Sequence, residues 1–171
     1  PGAFSYPSSG VGSFQHLGMA RLVGEDMVHV PYTGAGAVLP DLLAGRTHAF
    51  CGALNSLLPH VRAGTLRALA AMTPGRAALL PGVPAVAEAG FPEAVTEIWA
   101  CVAVPAATPR PVIGAIHAAL TTLFSEPEVA ARLNEQGIEV ALLSGEETTA
   151  LARAELAETG ALLRRLGIGP G

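Results

Sequence analysis

The residue types best able to do chemistry sit in two glycine-rich runs, Ser8-Ser-Gly-Val-Gly-Ser13 and Tyr32-Thr-Gly-Ala-Gly36. A strand that turns through glycine into a helix leaves several backbone N–H groups unpaired, and the helix dipole adds partial positive charge there. Ser8, Ser9, Gly10, Gly12 and Ser13 could therefore cradle a carboxylate or phosphate, with serine hydroxyls as added donors. Ser13 has the character of an N-cap, with His16 at the third helical position. An ordinary capped strand-to-helix turn would have the same composition. Tyr32, Thr33, Gly34 and Gly36 form a second donor set of the same kind, although Tyr32 could equally cover a core with its ring. Ser9, Ser13, His16, Cys51 and His60 also include the residue types of nucleophile–base pairs. No Gly-x-Ser-x-Gly run marks a serine, so a hydrolase is the weaker reading.

Several chemistries are excluded by what the chain lacks. All 10 basic residues are arginine, which removes lysine Schiff bases and the lysine of a phosphate-binding P-loop. The net charge is −4, and the arginines are scattered apart from Arg164-Arg165, so no basic stripe for nucleic acid exists. His29, His48, His60 and His117 lack ligand-like spacing; they read as surface or packing residues, and neither a metal nor a cofactor is expected. The 2 cysteines, Cys51 and Cys101, have no metal-type spacing and read as buried thiols rather than a bridge. Half of the 171 residues are hydrophobic, yet the longest apolar run, Ile98 to Ala107, is shorter than the ~20 residues of a membrane helix. Pro1-Gly-Ala-Phe4 lacks the features of a signal peptide.

The elements that must position these residues follow from period and punctuation. Ala3 to Tyr6 reads as a strand and Phe14 to Val23 as a helix with Phe14, Leu17, Leu22 and Val23 on one face. Met27 to Val30 is a second strand, followed by a helix over about 37–44. Two such units predict parallel strands joined by crossovers, with both glycine turns on one sheet edge. Further strands are predicted at 47–51, 66–72, 95–104 and 138–143. Asn55-Ser56 could cap a helix reaching Arg62, and the proline-dense stretch 75–92 reads as loop with one helical turn at 85–89. Thr108 before Pro109, Ser125 before Pro127, and the capping box Ser144-Gly-Glu-Glu147 start three C-terminal helices. The organisation changes near residue 98, and the part after it is strand-poor.

Taken together, Ser8 to Leu17, His29 to Gly36, Asp41-Leu-Leu-Ala-Gly45, Leu58 to Ala70, Leu80 to Gly90 and Val104 to Pro109 resemble, in collinear order, the Bug-type receptors. These are the substrate-binding proteins of tripartite tricarboxylate transporters. The resemblance implies an α/β, periplasmic-binding-protein fold of two lobes closing on a small carboxylated ligand in the periplasm. Residues 1–98 would be the second, ligand-binding lobe, with a parallel or mixed sheet. Residues 99–171 would be a crossover strand and the C-terminal helical part of the first lobe, whose N-terminal segment this chain lacks. Gly52 stands where many relatives carry a cleft-facing aspartate, and with Asn55 it completes the expected ligand-binding set.

The function expected is capture of a small organic acid for a tripartite transporter whose membrane subunits are the partners. Closure would occur about the strand near Trp99, although packing alone would explain a tryptophan there. The alternative is a truncated relative that binds nothing and forms a homo-oligomer through its incomplete first lobe.

Overall fold

Strand β1 (Ser5–Ser8) pairs in parallel with strand β2 (Val28–Pro31), Ser5 lying opposite Val28 and Ser8 opposite Pro31. The computed structural model describes residues 2–168. A parallel pair requires a crossover, here helix α1 (Phe14–Val23). Ser13 starts that helix as predicted: its backbone is extended and its hydroxyl accepts the His16 N–H, satisfying one orphan donor. Gly24 ends it with φ 54°, donating its N–H to Ala20 O. Residues 15–20 of α1 are all buried, and the helix approaches closely because residue 18 is glycine. A Cβ there would lie 2.8 Å from Cys51 Sγ. Tyr6, Met19 and Cys51 form the core of this region, with Val23, Met27, Ala49 and Met72 packed against it.

Helix α2 (Ala35–Leu43) and helix α3 (Leu54–Arg62) follow, so the second strand–turn–helix unit repeats the first. The chain divides into two units, Pro1–Ile98 and Trp99–Gly171. In the second, helices α4 (Arg110–Phe124) and α5 (Pro127–Glu135) bury no residue fully, and α6 (Gly145–Arg165) buries only Leu162. Val112, Ile113, Leu123, Leu151 and Leu156 are all exposed. Trp99 in this unit donates its indole N–H to Glu155 Oε2 at 2.5 Å. Among the described residues, no helix is long and apolar enough to cross a membrane.

The four further predicted strands do not form ladders among the described residues. At 47–51 the reason lies in β1. Residues 5 and 7 point their backbone groups to the side away from β2, and there His48 N–H donates to Ser5 O at 2.9 Å. The Ser5 N–H, however, is taken by His48 Nδ1 at 3.0 Å, and Pro7 has no N–H at all. Both donors that a second ladder needs are gone. Segment 66–72 is rich in alanine, a poor strand former, and keeps only an isolated bridge between Ala71 and Ala85. Beyond the bonds from Thr96 N–H to Met72 O and from Val95 N–H to Pro92 O, 95–104 makes no backbone–backbone bond among the described residues, and 138–143 makes none beyond a bond from the Ile138 N–H to Leu133 O that closes α5.

Two caps also shift. Helix α4 is capped by Pro109, not Thr108, and α5 by Glu126, not Ser125. A residue before proline is pushed out of the helical region, so the boundary falls on Glu126, at ψ 125°. The Ser144–Glu147 capping box forms in both directions, at 2.8 and 3.2 Å.

Candidate functional site

Because the two strands are parallel and in register, the loops after Ser8 and after Pro31 leave the same sheet edge. They are in contact: Tyr32 N–H donates to Ser8 O at 2.9 Å, and a Cβ on Gly10 would lie 3.9 Å from Tyr32 O. Gly10, Gly12 and Gly34 have φ of 143°, 78° and 121°, values at which a side chain is strained. Gly36 lies in the first turn of α2, where a Cβ would meet nothing.

The serine hydroxyls are committed inside the first loop. Ser8 Oγ donates to Gly10 O at 2.8 Å, Ser9 Oγ to Gln15 Oε1 at 2.7 Å and Ser13 Oγ to Gly10 O at 2.7 Å. These side chains therefore hold the loop's shape, and the donors left over are backbone groups. Among the described residues, the N–H groups of Ser9, Val11, Thr33 and Gly34 carry no hydrogen bond. Tyr32 is likewise engaged. Its hydroxyl donates to Asp41 Oδ2 at 2.7 Å, and Arg46 pairs with Asp41 Oδ1 at 2.6 Å. The bonds from Tyr32 and Arg46 hold the Asp41 carboxyl below its usual range, while the bond to Asp41 raises the Tyr32 phenol.

Beneath the first loop lies a feature that the sequence reading missed. The His16 and His29 rings stack with centroids 3.8 Å apart and planes 5° from parallel, and Tyr6 stacks on His29 at 5.1 Å. Gly12 N–H donates to His16 Nδ1 at 3.0 Å, and His29 Nε2 lies 2.7 Å from Ser8 Oγ. Both imidazoles thus serve as struts of the loop, the first held with Nδ1 unprotonated. Burial lowers the His16 pKa; burial, and then the neighbouring His16, lowers that of His29 to about 4. The sequence signal for this pair is the alternation that sets His29 opposite Tyr6, which becomes readable only once the register is known.

Gly52 lies in a third turn, which runs into α3, and Asn55 is the second residue of that helix. Gly52 is enclosed: a Cβ would collide with Phe50 Cε1 and lie 3.0 Å from Leu57 Cδ1. Asn55 is exposed and makes no cap bond; Ala53 occupies the cap position.

Of the residues of the hydrolase reading, Ser9 and Ser13 give their hydroxyl protons to Gln15 and Gly10, and among the described residues no hydrogen bond joins either hydroxyl to an imidazole. Cys51 is buried, and burial pushes its thiol up to about 11, the wrong direction for a nucleophile. Cys101 is exposed rather than buried, and the two are free thiols. The close Ser8–His29 pair involves a fully buried serine whose proton is already given to Gly10. Among the described residues, no group of three His, Cys, Asp or Glu could hold a metal ion.

The sequence pattern of the tripartite tricarboxylate transporter family receptor matches residues 1–168. The chain belongs to this receptor family. BugT of Bordetella pertussis is 28% identical over 98% of this chain and 52% of its own length. Among solved structures, a periplasmic transporter is 31% identical with a TM-score of 0.87, covering 98% of this chain and 57% of its own. A protein from R. palustris, solved with adipate, is 29% identical at the same TM-score, covering 100% and 58%. The fold of this receptor is thus the mixed α/β fold of periplasmic binding proteins, and both family and fold are those of solute-binding proteins. The chain spans about half the length of the curated relatives it matches.

Proposed function

We propose that this receptor captures a small carboxylated organic acid and presents it to the membrane subunits of a tripartite transporter in the periplasm. The observation that carries this reading is the pair of touching glycine loops on one sheet edge, whose serine and tyrosine hydroxyls are spent on internal bonds while the Ser9, Val11, Thr33 and Gly34 N–H groups remain. Unpaired backbone donors gathered at one sheet edge favour an anion without needing a lysine. A relative of the same family and fold was solved with adipate, which supports a carboxylate as the anion. Residues 1–98 would supply the ligand-binding lobe and 99–171 a crossover and helical part of the other.

The test is a thermal-shift screen of the full-length protein with adipate, malate, citrate and benzoate. At one hundred times its dissociation constant, a ligand adds about 2.7 kcal/mol. For a chain of this size that raises Tm by roughly 5–10 °C. Gly12→Ala, which strains the loop at φ 78°, is expected to abolish most of the shift. No shift with any acid, or a shift that Gly12→Ala leaves intact, would overturn the proposal.

A further inference from the structure

Next to the first loop lies a cleft of about 170 Å³ within the first unit. Its walls are Phe14, Leu39, Phe50 and Leu57, with Gln15 and Ser56 as the polar members. Ser56 has no hydroxyl proton free for an occupant and the Gln15 carbonyl is taken, which leaves the Gln15 NH2 group as the uncommitted side-chain donor of the lining. Ser56 Oγ donates to Ala53 O at 2.8 Å, and Gln15 Oε1 accepts from Ser9 Oγ at 2.7 Å. No charged residue lines the cleft. A carboxylate or hydroxyl group placed in it would lose water without an ionic partner, which is costly.

Two further observations fix the character of this space. The first is Gly52: with the Phe50 ring standing against the place of its Cβ, residue 52 cannot project a polar side chain here, and the aromatic ring is the wall instead. The second is continuity. Phe14 follows Ser13 directly and Gln15 is bonded to Ser9, so the cleft adjoins the loop that offers the Ser9 and Val11 N–H groups. In size it compares with the ~150 Å³ apolar cavities that take up benzene.

We propose that this cleft is a hydrocarbon subsite, so that the ligand is an organic acid whose carboxylate, held by the loop amides, is joined to one aromatic ring or an uncharged chain of similar bulk. The inference rests on the carboxylate-binding function proposed above and names the class of acid within it. Phe50 and Gly52 act together as the specificity determinants: the glycine admits the ring and the ring excludes polar substituents.

Calorimetric titration of the full-length protein with benzoate, hexanoate and malate tests this. Benzoate is expected to bind at least about tenfold more tightly than malate, the value of burying one ring's apolar surface. Leu39→Phe, which fills the cleft, should lower the benzoate-to-malate affinity ratio by about tenfold. Phe14→Ala, which widens it, should raise the 2-naphthoate-to-benzoate ratio by a similar factor, and this arm stands if the filled variant fails to fold. Malate equal to or tighter than benzoate, or ratios unmoved by both substitutions, would overturn the subsite while leaving carboxylate capture intact. Absence of binding by all three acids would overturn both.

Discussion

Acidification should weaken this protein through the stacked imidazoles before its carboxylates are reached. His29 titrates at about 4 in the folded chain against 6.5 when unfolded, because burial and then the adjacent His16 disfavour its charged form. Between those values the unfolded chain binds more protons, so stability is complete above 6.5 and is lost as pH falls toward 4. At about pH 5 the difference corresponds to ~2 kcal/mol. His29 is only half-buried and water screens its exposed edge, so we take about 1 kcal/mol. His16 acts in the same direction, and its protonation at Nδ1 would also remove the acceptor of the Gly12 N–H. The assay is chemical denaturation of the wild type and His29→Gln from about pH 7.5 to 4.5. Glutamine does not titrate and can still meet Ser8, so the variant should lose about 1 kcal/mol less on going to pH 5. Parallel curves would show that the imidazole stack carries no proton-linked stability. Asp41, Glu88 and Glu147, whose folded pKa values are all lowered, act at lower pH and equally in both proteins.

Gly52→Ala should cost about 1–3 kcal/mol by overpacking against Phe50, read as a lowered denaturation midpoint. Phe50→Leu in the same chain should restore much of it, and a neutral single substitution would refute the close approach. With maleimide at neutral pH, mass spectrometry should find Cys101 modified and Cys51 protected until denaturant is added, because Cys51 is buried with its thiol pushed up to about 11. Labelling of native Cys51 at the rate of Cys101 would contradict this packing.

Much of the local structure was legible where one residue type has one local use. Ser13 before Phe14 and the Ser144–Glu147 pair mark helix starts through bonds made within a few positions, and each forms as read. The two strand–turn–helix units fix the common sheet edge for the same reason. The missing ladders depend on non-local partners. Nothing in 47–51 announces that His48 will turn its ring onto the Ser5 N–H, and the effect of Pro7 appears only when its side of the sheet is known. The meeting of the two glycine loops was legible, but the roles of their side chains were not. Ser8, Ser9 and Ser13 read as ligand donors, but short-range acceptors at Gly10 and Gln15 take their protons. His29 read as a packing residue, yet strand pairing sets it against Ser8 and His16, 21 and 13 positions away respectively.

The loss of two donors along the outer side of β1 has a bearing on solubility. An exposed strand edge invites another chain to add itself and extend the sheet, the common route to edge-to-edge aggregation. At Ser5 and Pro7 an incoming strand would find carbonyls but no amide to receive its own, and His48 already occupies the first of those carbonyls. The half-paired flank beside 47–51 thus acts as a guard: it stays covered by its own chain while offering a foreign strand no ladder to complete.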